Sequence, residues 1–257
     1  MAEKIMIQFA HVSKVYGNKT VVNDIDLTIK TGEFITILGT SGSGKTTMLK
    51  MINKLIEPTS GKILFAGQDI EQMDSVSLRR QIGYVVQEIG LFPHMTIAEN
   101  IATVPKLLSW DKDRIENRVG ELLDLVQLPR DDYGKRYPSE LSGGQQQRIG
   151  VARALAADPN VMLFDEPFGA IDAITRHDLQ EELQMIHQTL NQKTFVLITH
   201  DIYEAFKLGT RVVIMDKGKI CQFDTPENII KQPGNEFVRK LITTTQEQEE
   251  LWRASYD

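Results

Sequence analysis

The segment from Gly39 to Thr47 constrains this chain more than any other part of its sequence. It matches the pattern G-x-x-x-x-G-K-[ST] at every fixed position. The apolar run Phe34 to Leu38 precedes it, and a run typical of a helix, Met48 to Ile56, follows it. In a strand–loop–helix unit of this kind, glycines let backbone N–H groups close around phosphate oxygens. We therefore predict a nucleoside triphosphate site here.

The predicted phosphate loop consists of nine consecutive residues. They are Gly39, Thr40, Ser41, Gly42, Ser43, Gly44, Lys45, Thr46 and Thr47. We expect the ammonium of Lys45 to reach the β- and γ-phosphates and the hydroxyl of Thr46 to bind Mg²⁺. The alternative, a Gly/Ser loop followed by a chance lysine, leaves the flanking strand and helix unexplained.

Composition narrows the function classes. The chain has 257 residues, a formal net charge of −6 and one cysteine, Cys221. A lone cysteine excludes an intrachain disulfide and a cysteine-based zinc site, and it favours a reducing cytosol. The acidic balance argues against a broad nucleic-acid surface, so we expect no nucleic-acid partner. The N-terminus lacks a signal-peptide core, and no stretch approaches roughly 18 consecutive apolar residues, so we expect a partner to supply any membrane crossing.

The order of strand-like and helix-like runs predicts the fold class. The first segment alternates like antiparallel strands, from Ile5 to Phe9 and from Val21 to Ile29. Buried-strand runs return later, separated by helices such as Thr175 to Leu190; they are Ile82–Val86, Val161–Phe164, Phe195–Ile198 and Val212–Met215. This alternation indicates an α/β fold with a mostly parallel sheet.

Two other stretches have a different character. Between Thr96 and Asp158, apolar residues recur at helical spacing, which predicts a mostly helical insert. Asp216 to Lys219 is typical of a hairpin turn, and a short helix is expected after Pro226. The tail from Thr243, rich in Gln and Glu, is expected to fray.

An apolar strand, Val161 to Phe164, ends in two carboxylates, Asp165 and Glu166. A strand that delivers Asp165 beside a phosphate loop suits a ligand of Mg²⁺, direct or through water. Glu166 is then placed to polarise the water that attacks the γ-phosphate. Solvated acids at a strand end are the alternative, which the upstream phosphate loop disfavours.

A second unusual helix start lies at Leu141-Ser142-Gly143-Gly144-Gln145. Ser142 is a good N-cap, and a simple cap is the plain interpretation. Two successive glycines, however, weaken a first turn because glycine loses the most backbone entropy on folding. A helix that tolerates this cost resembles a second anion site.

These residues together resemble ATP-binding cassette (ABC) ATPases, over about residues 4 to 240. Leu141 to Gln145 reads LSGGQ, which is similar to the signature motif of that family. The resemblance implies that Tyr16 stacks on adenine and that Gln87 senses Mg²⁺ and the attacking water. It also implies that Asp172 communicates across a dimer and that His200 contacts the γ-phosphate.

The family resemblance implies a head-to-tail pair of chains. In that arrangement Ser142, Gly144 and Gln145 of one copy close on ATP held by Lys45 and Thr46 of the other. ATP with Mg²⁺ is the implied cofactor. The implied ABC domain covers 4–240, with a core of about 4–88 and 159–225, a helical subdomain of about 89–158, and a short tail at 241–257.

A narrower resemblance is to ATP-binding subunits of bacterial importers for quaternary amines such as glycine betaine, carnitine and choline. It is carried by Lys50–Pro58, Ile82–His94 and Asn100–Pro105. It implies transmembrane permease subunits that dock near Gln87 to His94, an extracytoplasmic substrate-binding protein, and a place on the cytoplasmic face of the membrane. Many such proteins continue past the cassette into regulatory domains, whereas the present sequence ends at Asp257. It is either a short form or a piece of a longer chain, and regulation by such domains is not predicted.

Three alternatives within the same fold remain open. An exporter subunit, for bile salts or drugs, is disfavoured only by the narrower resemblance. A soluble ABC ATPase acting on DNA or ribosomes is disfavoured by the single cysteine, the single phosphate loop and the acidic charge. A regulatory cassette that does not hydrolyse ATP is disfavoured by Glu166 and His200.

Overall fold

The computed structural model describes residues 4–87, 90–169 and 171–254, with side chains described through residue 247. The chain divides into two compact units. The first runs from the N-terminus to Gln72 and resumes at Ile198, and the second is Met73–Leu197. Among the described residues, no helix combines the length and the apolar character that a membrane span needs.

The described part of the fold contains ten strands, ten α-helices and two short 3-10 helices, Ile70–Gln72 and Pro138–Glu140. The strands are β1 (Ile5–Tyr16), β2 (Lys19–Lys30), β3 (Phe34–Gly39), β4 (Ser60–Phe65), β5 (Gln68–Asp69), β6 (Ile82–Val85), β7 (Val161–Asp165), β8 (Thr194–Thr199), β9 (Arg211–Asp216) and β10 (Lys219–Asp224). The helices are α1 (Lys45–Ile52), α2 (Ser75–Arg79), α3 (Ile97–Leu107), α4 (Lys112–Leu125), α5 (Arg130–Tyr133), α6 (Gly143–Leu155), α7 (Ala173–Thr189), α8 (Ile202–Leu208), α9 (Pro226–Lys231) and α10 (Glu236–Ala254).

The first unit contains an antiparallel sheet in the order β2-β1-β4-β5. Its register places Phe9 opposite Leu27 on one side and opposite Ile63 on the other. All three side chains are buried. Residues that alternate along β1 and β2 therefore bury one face, as the sequence pattern predicts.

The strand before the phosphate loop, β3, is buried along its whole length. It pairs in parallel with β9, with Ile37 opposite Val213. β10 returns antiparallel to β9, which confirms the predicted hairpin turn. This turn contains Lys217 and Gly218, both at positive φ.

The end of β3 carries the phosphate loop, so the packing beneath this strand fixes the loop's position. A buried apolar cluster joins β3 and β9 to α8, α9 and α10; its members are Leu38, Ala205, Val212, Ile214, Ile229, Val238 and Ile242. Phe237 and Leu241 of α10 pack against this cluster. The tail expected to fray from Thr243 therefore continues as helix to Ala254, because the first turns of α10 are anchored.

The helix after the phosphate loop is shorter than the sequence pattern predicts. It begins at Lys45 and ends at Ile52, whereas the pattern extends to Ile56. Lys54 adopts a left-handed conformation with φ 55°. The amide of Leu55 then bonds back to the carbonyl of Lys50 over 2.9 Å. A left-handed residue after the last turn is a common way to end a helix, and it is difficult to predict at a lysine.

The second unit holds the predicted helical insert. Helices α3, α4, α5 and α6 occupy most of the stretch from Thr96 to Asp158, which confirms that prediction. Val119, Leu122 and Leu123 form the buried side of α4. β6 and β7 pair in parallel, with Tyr84 opposite Leu163. The parallel pairs and the antiparallel N-terminal sheet confirm the predicted α/β fold class.

Candidate functional site

The phosphate loop of the first unit curls through two left-handed glycines, Gly42 at φ 76° and Gly44 at φ 101°. Residues with a side chain rarely adopt these angles. Gly44 also serves as the N-cap of α1 and has no side chain with which to cap it. A helix N-terminus without a side-chain cap, next to a glycine loop, suits an anion.

Lys45 is 6% exposed, which is rare for a lysine. Its ammonium donates hydrogen bonds to the carbonyls of Gly39, over 2.8 Å, and of Thr40, over 3.1 Å. The charge therefore lies inside the curve of the loop. In the same loop the Ser43 hydroxyl is buried, and it has no hydrogen-bond partner among the described residues. Both features fit a polyanionic ligand.

Close packing fixes the glycines of this loop. A Cβ on Gly39 would stand 2.3 Å from the carbonyl oxygen of Met215, and one on Gly44 would stand 2.6 Å from that of Val21. The amide of Gly218, in the turn between β9 and β10, donates to the carbonyl of Ser43 over 3.1 Å. The hairpin turn therefore supports the phosphate loop, a contact that no sequence motif indicated.

Two further predicted residues lie in the first unit. His200 is exposed and follows β8 directly. The next residue, Asp201, caps α8 by accepting a hydrogen bond from the amide of Tyr203 over 2.8 Å. Tyr16 ends β1, is 47% exposed, and has the ammonium of Lys14 5.0 Å from its ring centroid. An exposed aromatic ring is available for stacking on a ligand.

In the second unit, Asp165 ends β7 and is partly buried. The hydroxyl of Tyr84 donates a hydrogen bond to its Oδ2 over 3.1 Å. Burial, and then the charge of Asp165, raise the pKa of Tyr84 well above its usual value. The Tyr84 hydroxyl therefore stays protonated and remains a donor. Sequence reasoning missed Tyr84; the available signal was its position in the strand beside β7.

Glu166 adopts φ 48°, an uncommon conformation for a residue that is not glycine. Such strain tends to occur at functional sites. The amide of Gly169 bonds to the carbonyl of Glu166 over 3.2 Å, which closes a turn. A Cβ on Gly169 would stand 3.4 Å from Nε2 of Gln87. The structure thus brings Gln87 to the loop that follows the two carboxylates.

The LSGGQ segment forms the N-terminus of α6. Ser142 accepts a hydrogen bond from the amide of Gln145 over 3.3 Å, and the side chain of Gln145 accepts one from the amide of Ser142 over 3.0 Å. This reciprocal pair is a capping box. The plain interpretation of Ser142 as an N-cap is therefore confirmed, and the anion site remains a prediction.

The same helix start packs against α7. A Cβ on Gly144 would stand 2.6 Å from Cγ2 of Thr175, whereas one on Gly143 would meet nothing within 4 Å. Asp172 caps α7 by accepting from the amide of Thr175 over 3.0 Å. That bond lowers the pKa of Asp172 below its usual value. Gly144 therefore brings the signature helix and the Asp172 helix into direct contact.

An ion pair between a partly exposed arginine and a buried glutamate joins these two helices further along. The guanidinium of Arg148, in α6, contacts the carboxylate of Glu182, in α7. Burial raises the pKa of Glu182, while Arg148 acts in the opposite direction. Removing Arg148 would leave the buried carboxylate of Glu182 without this partner, which destabilises the contact between α6 and α7. The sequence did not predict this pair, because most charged side chains of a helix face solvent.

Comparison with known proteins identifies the family of this chain. Residues 22–169 match the family model described as ABC transporter. The chain belongs to the ABC transporter family. An ABC relative, the glycine betaine/carnitine/choline transport ATP-binding protein OpuCA of Bacillus subtilis, is 57% identical over 238 residues, which are 92% of this chain and 62% of that protein. The glycine betaine uptake system ATP-binding protein YehX of Escherichia coli is 52% identical over 92% of this chain and 76% of its own length.

Solved structures agree with the ABC assignment. A dimer of the ATP-binding cassette MJ0796 bound to ADP and Pi has a TM-score of 0.74 and 33% identity, and the match covers 86% of this chain and 99% of that one. CbiO1 of Clostridium perfringens has a TM-score of 0.84 and 25% identity over 98% of this chain and 100% of its own. The present chain spans about three fifths of the length of the OpuCA relatives. These comparisons confirm both predicted resemblances, to the ABC family and to its quaternary-amine importers.

Proposed function

We propose that this chain binds ATP with Mg²⁺ and hydrolyses it to power an ABC importer. The transported substrate is an osmoprotectant quaternary amine such as glycine betaine, carnitine or choline. The observation that carries the proposal is the cradle formed by Gly42, Gly44 and the buried Lys45 at the start of α1. A loop of this kind binds the phosphates of a nucleoside triphosphate, and the LSGGQ helix start in the same chain supports this assignment.

The roles of the residues follow from their chemistry. Lys45 neutralises the β- and γ-phosphates, Tyr16 stacks on adenine, and His200 contacts the γ-phosphate. Glu166 accepts a proton from the attacking water, which Gln87 helps to orient. The remaining loop residues bind phosphate through their backbone amides.

The donor atoms offered for Mg²⁺ are the hydroxyl of Thr46, the carboxylate of Asp165 and the amide oxygen of Gln87. All three are hard oxygen ligands, which Mg²⁺ prefers. When bound, the ion neutralises charge on the phosphates as the terminal bond breaks. The hydrogen bond from Tyr84 restrains the Asp165 carboxylate and so supports its role as one of these ligands.

A second copy of the chain completes the site in this proposal. Ser142, Gly144 and Gln145 of one copy would close on the triphosphate held by the other, and Asp172 would lie at the joint. The contact between Gly144 and Thr175 supports this, because it keeps the Ser142 and Asp172 helix starts together. ATP that bridges two copies stabilises the pair, and hydrolysis weakens it.

The substrate class and partners rest on the relatives, whose printed names concern glycine betaine, carnitine and choline transport. We propose permease subunits that dock near Gln87 to His94, a substrate-binding protein outside the cell, and a position on the cytoplasmic face of the bacterial membrane. Within this docking segment, Glu88 and Ile89 lie outside the described residues. The proposed ABC domain spans 4–240, with the helical subdomain at about 89–158 and the tail at 241–257.

Uptake in proteoliposomes tests the proposal directly. Vesicles containing the chain and its permease subunits should accumulate radiolabelled glycine betaine, carnitine or choline only with ATP-Mg²⁺. Lys45→Ala should abolish both hydrolysis and uptake, and Lys50→Ala on the same helix is the matched control. Hydrolysis with outward transport would identify an exporter. Hydrolysis without any association with a permease would identify an ATPase unconnected with transport.

A further inference from the structure

Asn100 is a polar residue in the buried face of α3. Its side chain is fully buried, as are those of Ile97 and Ile101 on the same helix. A buried amide without hydrogen-bond partners costs about 1–3 kcal/mol. A carboxamide at this position therefore needs partners close by, and it has them.

The partners of Asn100 are backbone groups of the segment that precedes α3. Its Oδ1 accepts a hydrogen bond from the amide of Phe92 over 2.8 Å. Its Nδ2 lies 3.1 Å from the carbonyl of Phe92, 3.2 Å from that of Met95 and 3.0 Å from that of Thr96. One side chain thus satisfies both backbone groups of Phe92 and closes the turn from Phe92 to Thr96.

The same segment is held from a second side. Nη1 of Arg153, in α6, donates to the carbonyl of Gly90 over 2.8 Å. The guanidinium carbon lies 5.8 Å from the ring centroid of Phe92. That ring is 40% exposed. The segment is therefore held by both Asn100 and Arg153, and it displays an exposed aromatic ring.

The start of α3 is also tied to the region before the signature helix. The amide of Ile97 donates to the carbonyl of Arg136 over 2.8 Å, and that of Ala98 donates to the carbonyl of Gly134 over 3.0 Å. The neighbouring Tyr133 hydroxyl lies 3.3 Å from Nε2 of Gln145. Hydrogen bonds thus connect the Phe92 segment, through α3, to the LSGGQ helix start.

We propose that Asn100 is a positioning residue for partner docking. It holds residues 90–95 in one conformation, so that the ring of Phe92 meets a short apolar helix of the permease. It also makes this segment and the start of α6 respond together when that helix moves. The inference rests on the proposed function for the permease contact, whereas the clamp itself is a property of the chain alone.

The clamp is tested on the isolated chain by amide hydrogen exchange. In the wild type, the Phe92 amide should exchange as slowly as amides in the middle of α3, such as that of Ile101. Asn100→Ala should speed its exchange at least tenfold and leave the amide of Ile149 in α6 unchanged. Thr103→Ala is the control, because the Thr103 hydroxyl bonds only within α3, to the carbonyl of Glu99 over 3.0 Å. Fast exchange at Phe92 in the wild type would overturn the clamp, even if the variant failed to fold.

The docking role is tested with the permease subunits in proteoliposomes. Asn100→Ala should keep ATP hydrolysis by the isolated chain within twofold of wild type and lose most of the stimulation by the permease, at least fivefold. An equal loss in both settings would show a merely structural role and overturn the docking inference. If the wild type is not stimulated at all, the proposed transport function and the docking inference both fail, while the exchange result still decides the clamp.

Discussion

The hydroxyl of Tyr84 donates a hydrogen bond to Oδ2 of Asp165 across two adjacent parallel strands, over 3.1 Å. Tyr84 is paired with Leu163, two residues before Asp165, so both side chains lie on one face of the β6–β7 pair. The bond restrains the carboxylate, which is one of the oxygen ligands proposed for the cation. Hydrogen bonds to charged groups contribute about 1.5–3 kcal/mol.

Replacing Tyr84 by phenylalanine removes this bond and keeps the ring. We expect the Mg²⁺ concentration that half-saturates ATP hydrolysis to rise about tenfold, which corresponds to about 1.4 kcal/mol. The measurement is a Mg²⁺ titration at fixed ATP. Tyr203→Phe is the matched control, since the Tyr203 hydroxyl bonds to the carbonyl of Thr245, outside the site. An unchanged Mg²⁺ requirement in Tyr84→Phe would contradict the positioning role.

The two glycines of the signature segment should respond oppositely to alanine. In Gly144→Ala the new methyl group would stand 2.6 Å from Thr175, so we expect a loss of about 1–3 kcal/mol in the free energy of unfolding. In Gly143→Ala the methyl group meets open space, and alanine favours the helix by up to about 1 kcal/mol. Urea unfolding without nucleotide measures both. Equal effects of the two substitutions would contradict the packing of α6 on α7.

An exposed cluster on β1 and β2 makes the stability of the folded chain depend on pH. Nδ1 of His11 lies 3.0 Å from Asp24 and 3.2 Å from Asp26. The hydrogen bond to Asp24 and the charges of both aspartates raise the pKa of His11 above its usual 6.5. The folded chain therefore holds this proton more tightly than the unfolded chain, and the stabilisation is complete below pH 6.5 and lost as the pH rises through the raised value.

The corresponding experiment compares the melting temperature of the wild type with that of His11→Gln. The wild type should melt at the higher temperature at about pH 5.5, and the gap should close by about pH 9. A gap that is constant with pH, or that widens as pH rises, would contradict this account of the cluster.

The sequence predicted the framework of the fold because its signals are local. A glycine-rich loop between an apolar strand and a helix, and the strand before Asp165, each specify their own structure over about ten residues. The predicted end of α1 was wrong, because nothing in the sequence marks Lys54 as a residue in the left-handed region. The helical tail was missed because its first turns are stabilised by distant residues of β3 and β9.

The supporting contacts of the site could not be predicted, because each joins residues far apart in the chain. Tyr84 contacts Asp165, Arg148 contacts Glu182, and the turn at Gly218 supports Ser43. The burial of Asn100 was closer to being predictable than the other contacts. A lone amide between two isoleucines of an apolar helix face indicates a buried polar group, but its partners become visible only in the folded chain.

The most direct test of the central proposal is the mass of Glu166→Gln with ATP-Mg²⁺, measured by light scattering after size exclusion. Without the proposed general base, ATP should stay bound between two chains, because binding is kept while hydrolysis is slowed. The account predicts a species of about twice 29.1 kDa that returns to a single chain when ATP is removed or when Lys45→Ala is added. A single chain at saturating ATP-Mg²⁺ would contradict it.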